Sequence, residues 1–458
     1  MLEYIKELIK DKSVLILGFG REGRSTYKWL LRAGGYKKLG IADCRNIEEH
    51  FETEVSLHCG TDYQNAMNEY DIVFKSPGIV LEHEEAYYSC MLVSEVEIFL
   101  RCYRDKIIGI TGTKGKSTTT SLIYHILKSA GKDALIAGNI GIPVFEIADD
   151  VHDDTIVVLE FSSHQLEYVT VSPHVAVLLN IHEEHLDHYG TMEKYVAAKK
   201  RIYLNQEKDD IFFVNKTCLP EADERHGRMV TLCHDMQCVQ PFAVNSDESE
   251  AADIFIGADF ILYKGRRFDI PVDDVKLLGH HNHFNIGVAY GVCSLYGVTD
   301  EEFANGLISF DPLPHRLQNI GTIDGVTYYD DSISTICDTA IQALNSIKNV
   351  GTIIIGGMDR GIDYRELIEY LGKAPVDNII LMYATGKRIY EEIKASYGDF
   401  EKPERLIPVD DLAEAVSTAK RVTKKGMACV LSPAAASYGY FKNFEERGEK
   451  FCELVKSL

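Results

Sequence analysis

Short runs of apolar residues, each closed by a glycine-rich turn, punctuate the chain. SVLIL (13–17) leads into GFGREG, and KIIGI (106–110) leads into TGTKGKS. Beyond DPLPHR (311–316), whose two prolines and charges read as a linker, the runs VTYY, GTIIIGG, NIILMY, RLIPV and ACVLS alternate with helix-like segments. Strands alternating with helices predict parallel sheets, because parallel neighbours need a crossover connection. Helical spacing is plainest after TGTKGKS, where Leu122, Ile123, Ile126, Leu127 and Ala130 share one face and Gly131 closes it. A second helix is predicted over 24–32. Residues 250–272 break the pattern and read as short antiparallel strands joined by tight turns. The expected fold class is α/β in three domains: Rossmann-like over 1–103, a central P-loop ATPase-type sheet with a small antiparallel part over 104–311, and Rossmann-like over 312–458.

Composition narrows the function. The chain has 48 basic and 70 acidic side chains, a net charge of −22, which argues against general affinity for nucleic acid or anionic membrane. Eleven cysteines without a CxxC pair or disulfide-like framework fit a reducing cytosol. The N-terminal MLEYIKELIKDK is a short amphipathic segment unlike a signal peptide, and no apolar run reaches membrane-spanning length. A cytoplasmic protein is expected.

Three stretches hold candidate chemistry. Gly18, Gly20 and Gly23 form GxGxxG between a strand and a helix, with Asp43 ending the next strand, and KSPGI (75–79) adds a second turn at the same edge. Such glycines allow close phosphate approach and the acid can bond a ribose hydroxyl. A structural turn, a nicotinamide-dependent oxidoreductase and another nucleotide all suit this block. GTKGKS places Gly112, Thr113, Lys114, Gly115, Lys116, Ser117 and Thr118 at a helix N-terminus, where N–H groups and the dipole favour phosphate. Lys116 would pair the outer phosphates and Ser117 would ligate Mg²⁺, although the general GxxxxGK[ST] pattern wants glycine where Ile110 stands. Glu160 and Asn180 end strands at the same sheet edge. HEEH (182–185) has its histidines three apart, which fails the HExxH zinc spacing. Lys199–Lys200 lies on a helix, where lysines ordinarily stand as exposed charge. In DDSIST (330–335), two acids and three hydroxyls suggest a cation or phosphate site without any lysine or arginine.

Together GITGTKGKST, GNIGIP, LEFSSHQLE, NIHEEHLDHYG with AAKKRIY, GHHNHFN, LPHR and SPAAASYGYFKNFEERG resemble, in order, the Mur ligase family, the ATP-dependent amino-acid ligases of peptidoglycan precursor synthesis. In that family's variant of the loop the glycine missing at Ile110 is not expected. The resemblance implies that 1–103 binds the UDP substrate, 104–311 ATP and 312–458 the incoming amino acid. It puts Gly20, Arg21, Glu22, Gly23, Arg24, Asp43, Ser76, Pro77, Gly78 and Ile79 on UDP, and Asn139 and Ser162 on the muramoyl-alanine end. It puts Asn282, Asn285, Arg316 and Asp331 on ATP beside the phosphate loop. Lys116, Asn139, His185 and Lys199 would be catalytic. Two Mg²⁺ would be held by Ser117, Glu160, His185 and Lys199, the last as its carbamate. A monomer is expected.

Within the family the likeness is to members that add glutamate to UDP-N-acetylmuramoyl-L-alanine. These carry a DSKATN-like motif, whereas here Ile333 replaces the lysine and Ile336 the asparagine, and Arg360 stands for a later lysine. The acceptor is expected at Ser332, Ser334, Thr335, Arg360, Ser432 and Phe441. D-glutamate is the favoured acceptor and L-glutamate, or another amino acid, the alternative, since a variant group with this DSIS pattern adds the L form. A Rossmann oxidoreductase and a non-catalytic binding paralogue remain as readings from other classes.

Overall fold

The computed structural model describes residues 1–234, 252–396 and 403–457. The apolar runs are strands, and they form three sheets. In the first, β1 (Ser13–Leu17), β2 (Lys38–Asp43), β3 (Ser56–Cys59), β4 (Ile72–Lys75) and β5 (Met91–Val93) lie in the order β3-β2-β1-β4-β5, all parallel. Val14 to Leu17 are fully buried, as continuous apolar strands covered on both faces must be. Strand order reverses between β1 and β4, which opens a crevice at their carboxyl ends.

The second sheet contains β6 (Ile107–Thr111), β7 (Ala134–Gly138), β8 (Ile156–Glu160), β9 (Val175–Leu178), β10 (Ile211–Asn215), β11 (Arg228–His234), β12 (Ile254–Ile256), β13 (Phe260–Tyr263) and β14 (Arg266–Asp269). Its order is β14-β13-β12-β11-β10-β9-β6-β8-β7, so β6 sits between β8 and β9. Only the β12-β13-β14 end is antiparallel, matching the expectation for 250–272, of which residues 250 and 251 lie outside the described residues. The third sheet is β15 (Gln318–Ile323), β16 (Val326–Asp330), β17 (Val350–Ile355), β18 (Asn378–Met382), β19 (Leu406–Val409) and β20 (Ala428–Leu431), ordered β15-β16-β20-β17-β18-β19. The antiparallel edge strand β15 was not anticipated, because QNIGTI lacks the continuous apolar run of its neighbours and none of its residues is fully buried.

The chain divides into two compact units. One is Met1–Val272 with His283–Ser309, and the other is Asp273–Asn282 with Phe310–Leu458. In the first unit one apolar cluster runs from Ile5 and Ile9 through Val14, Phe74 and Ile98 to Val157, Leu178 and Val214, so the first two sheets share a core. Trp29 ties them further, its indole N–H donating to Phe145 O at 2.8 Å. The N-terminal segment is the helix Leu2–Ile9, packed on this core through Ile5 and Ile9. Nine described cysteines are free thiols. Among the described residues no helix is long and apolar enough to cross a membrane.

Candidate active site

β6 runs straight into the phosphate loop, and the helix Lys116–Ser129 follows with Leu122, Ile123, Ile126 and Leu127 fully buried. Gly115, with φ +86°, caps the helix; a Cβ there would stand 2.7 Å from Asn285 Oδ1. Asn285 is buried and accepts a hydrogen bond from Thr119 Oγ1 at 3.1 Å. The loop is held from outside by Asn180, whose Oδ1 accepts from the N–H groups of Thr113 and Lys114 at 3.1 and 2.8 Å. Its Nδ2 donates to Lys114 O at 3.0 Å. Thr113 Oγ1 meets Tyr195 OH and accepts from His182 N, and Lys114 pairs with Glu184 at 2.9 Å. NIHEEH is therefore the outer brace of the phosphate loop. Lys116 Nζ donates to Gly112 O and Thr113 O, Ser117 is partly exposed on the first turn, and Thr118 is buried.

Lys199 is not the exposed charge that a helical lysine ordinarily is: it is 1% exposed and donates to Gly112 O at 2.8 Å. Burial, reinforced by Lys116, lowers its amine to about 7. Glu160, at the end of β8, is equally buried; its Oε1 accepts from Asn139 Nδ2 at 2.7 Å, and its Oε2 has no hydrogen-bond partner. His185 caps the short helix Leu186–Tyr189 with φ +58°, and burial holds its imidazole below the usual range, in the neutral form that ligates metals. His164 packs on it at 4.8 Å and on His188 at 4.2 Å, and is driven down to about 4 by burial and these neighbours. Among the described residues no three His, Cys, Asp or Glu side chains converge as a preformed metal centre. An orphan buried carboxylate oxygen beside a hydroxyl-bearing phosphate loop nonetheless suits a hard divalent cation with oxygen ligands.

Two adjoining cavities form a groove beside this edge. One, about 370 Å³, is lined by Gly20, Arg21, Glu22, Asp43, Ser76, Pro77, Gly78 and Ile79, together with Gly18, Cys44, Arg45 and Tyr63. The other, about 290 Å³, shares Arg21, Glu22, Pro77 and Gly78 and adds Asn139, Ser162, His164 and Gln165. Ten of the twelve expected UDP-substrate residues thus line one groove. Gly23 and Arg24 do not: a Cβ on Gly23 would lie 2.1 Å from Gly18 O, and Arg24 pairs with Glu49 over the Phe19 ring. Asp43 accepts from the N–H groups of Phe19 and Arg45; burial alone would raise its carboxyl, but these bonds bring it below the usual range. Ser162 caps the helix Ser163–Leu166 in a capping box with Gln165, which donates to Glu22. Gln165 and His164 were missed because nothing local in FSSHQLE marks them apart from the motif they belong to.

In the second unit the loops after β16, β17 and β20 carry DDSIST, GGMDRG and SPAAAS, and strand order reverses among these strands. Several expected acceptor groups are committed internally. Asp331 Oδ2 accepts from Ser334 Oγ at 2.5 Å and Ser432 Oγ at 2.8 Å, and Oδ1 from Leu317 N. Burial, only partly offset by those hydroxyls, raises Asp331 to about 6. Ser332 is fully buried and Phe441 packs against the core. Thr335 and the exposed Arg360 remain at the surface of the crevice, joined by Arg360 Nη2 donating to Thr335 O at 3.1 Å. In the linker, His315 is not free chain: its Nδ1 meets buried Asp330 Oδ2 at 2.6 Å, and that bond raises its pKa. Arg316 lies near enough to Asp331 to favour its ionised form. Asn282 is buried in the same unit, its Nδ2 donating to Leu278 O.

Comparison with known proteins identifies the family. The model of the Mur ligase middle domain matches residues 110–293, and that of the Mur ligase glutamate ligase domain matches 315–435. The UDP-N-acetylmuramoylalanine–D-glutamate ligase of Alkaliphilus metalliredigens is 32% identical over 98% of this chain and 99% of its own length. That of Clostridium acetobutylicum is 33% identical over 100% and 98%. Among solved structures, the UDP-N-acetylmuramate–alanine ligase of Thermotoga maritima overlays with a TM-score of 0.59 at 17% identity, covering 97% of this chain and 99% of that one. The MurF ligase of Thermotoga maritima in complex with ADP gives 0.58 at 16%, covering 99% and 96%. With the phosphate loop, the buried Glu160 and Lys199, and full-length likeness above 30% identity, the chain belongs to the Mur ligase family.

Proposed function

We propose that the chain is an ATP-dependent ligase of peptidoglycan precursor synthesis that joins D-glutamate to the carboxylate of UDP-N-acetylmuramoyl-L-alanine. The observation that carries this reading is Glu160: one carboxylate oxygen bonds Asn139 on the nucleotide groove, and the other is buried without a partner at the strand edge next to the phosphate loop. A carboxylate has no leaving group at neutral pH, so it must be activated. Transfer of the ATP γ-phosphoryl to the alanine carboxylate gives an acyl phosphate and ADP. The glutamate amine attacks that carbonyl, a tetrahedral intermediate collapses, and phosphate leaves with the oxygen it received. Lys116 offsets charge on the transferred group, and Asn139 orients the carboxylate end against Glu160. Ser117, Glu160, His185 and Lys199 would hold Mg²⁺ in two sites, Lys199 as a carbamate. The metal supplies charge neutralisation where three anions converge. A lysine amine lowered to about 7 by burial is largely unprotonated at mildly alkaline pH, the form that adds CO₂.

In this proposal residues 1–103 bind UDP, 104–311 bind ATP and 312–458 bind the acceptor. Gly20, Arg21, Glu22, Asp43 and Ser76 to Ile79 hold the uridine diphosphate, and Gly23 and Arg24 shape the turn. Asn282, Asn285, Arg316 and Asp331 serve ATP. Thr335 and Arg360 face the acceptor, with Ser332, Ser334, Ser432 and Phe441 shaping the loops beneath. A second reading has L-glutamate as acceptor. It is favoured by Ile333 and Ile336 at the crevice, where a lysine and an asparagine are expected, and by the planar fork of Arg360 in place of a point charge. Release of ADP from ATP and UDP-N-acetylmuramoyl-L-alanine with each glutamate enantiomer separates the two. Turnover with the L form alone sinks D-glutamate, and turnover with neither sinks glutamate as the acceptor.

A further inference from the structure

DDSIST holds two acids and no cation of its own, but a cation reaches it from 115 residues away. Arg447 lies on the helix Phe444–Lys456 and is fully buried. Its Nη2 donates to Ser332 O at 2.8 Å and its Nε to Ser332 Oγ at 3.1 Å, after β16. Its Nη1 donates to Ala435 O at 3.0 Å, after β20. The same Nη1 lies 3.0 Å from where a Cβ on Gly357 would be, after β17. One guanidinium therefore touches all three loops that meet where the third sheet reverses its strand order. The helix comes this close only because the next residue is glycine: a Cβ on Gly448 would lie 2.1 Å from His315 Nδ1 and 2.5 Å from Asp330 Oδ2.

A buried charge is a costly way to fill space, and an apolar side chain of similar volume often serves stability as well or better. It could not make three directed contacts to two carbonyls and a hydroxyl. We infer that Arg447 is a positioning residue for the acceptor amino acid, its planar fork fixing the loops so that Thr335 and Arg360 meet the incoming carboxylates in register. This rests on the ligase reading above. A lysine would keep the charge and lose the fork.

The test is steady-state kinetics of full-length Arg447→Met, Arg447→Lys and Ser332→Ala, with separate KM values for glutamate, ATP and UDP-N-acetylmuramoyl-L-alanine. The glutamate KM should rise about tenfold or more in Arg447→Met, and less in Arg447→Lys and Ser332→Ala, while the other two KM values stay within about twofold. A glutamate KM equal to wild type in Ser332→Ala and Arg447→Lys overturns the inference. So does a fall in kcat with all three KM values unchanged, which a purely structural role produces by inactivating a fraction of the molecules. Should Arg447→Met fail to fold, the two milder variants decide. A wild-type chain inactive with both glutamate enantiomers defeats the glutamate-ligase reading before any substitution is made, and this inference with it.

Discussion

At the scale of residues, Lys199 and Lys200 are adjacent in sequence and opposite in environment. Lys200 pairs with Glu224 at 2.7 Å near the surface, while Lys199 points inward to Gly112 O. Helical phase alone separates a solvated charge from a group beside the phosphates. Lys199→Ala should lower turnover by about 10²–10³-fold, the scale for losing a group that stabilises transition-state charge, with partial rescue by added formate or acetate. Wild-type turnover in that variant, measured by ADP release, removes Lys199 from the metal site. Asn180→Ala strips three hydrogen bonds from the phosphate loop and should raise the ATP KM by about tenfold. An unchanged ATP KM contradicts its role as a brace. Lys116 and Ser117 were legible in the sequence because their chemistry sits within one short motif. Asn180 drew notice only as a strand end, and Arg447 only as part of a longer motif. Their partners lie 66 and 115 residues away, and no local pattern encodes that distance.

At the scale of elements, the apolar runs announced β1, β6, β17, β18 and β20 because strands buried on both faces must be apolar throughout, whereas β16 and β19, only half covered, were legible from their short apolar runs between helix-like segments. The helix after the phosphate loop was equally legible from its 3.6-residue spacing. The edge strand β15 was not, since one of its faces is solvated and a bulge near Gly321 interrupts the alternation. The turn between β6 and its helix depends on Gly115 in the left-handed region against Asn285. Gly115→Ala should therefore weaken ADP binding by about tenfold or more in calorimetry, through strain at positive φ and the clash. Undiminished ADP affinity contradicts this account of the loop.

At the scale of the whole molecule, the first two sheets share one core, and a buried acid sits in it. Glu95 is 3% exposed, accepts from Thr26 Oγ1 at 3.0 Å, and has its Oε2 unpartnered. Burial, with repulsion from Glu22, raises its pKa well above 4.5. A carboxyl raised in the folded state contributes stability that is full below its unfolded pKa and lost as pH rises through the folded value. Glu95→Gln mimics the protonated acid, so its Tm should exceed wild type at pH 8 and approach it toward pH 4. A gap that narrows with rising pH contradicts the assignment.

The central claim is that the nucleotide's carboxylate is phosphorylated before the amide forms. With UDP-N-acetylmuramoyl-L-alanine carrying two ¹⁸O atoms in its carboxylate, together with ATP and glutamate, mass spectrometry of the released phosphate reads this directly. The account predicts one ¹⁸O atom in each phosphate and the other in the new amide carbonyl. Unlabelled phosphate accompanying amide formation would contradict it.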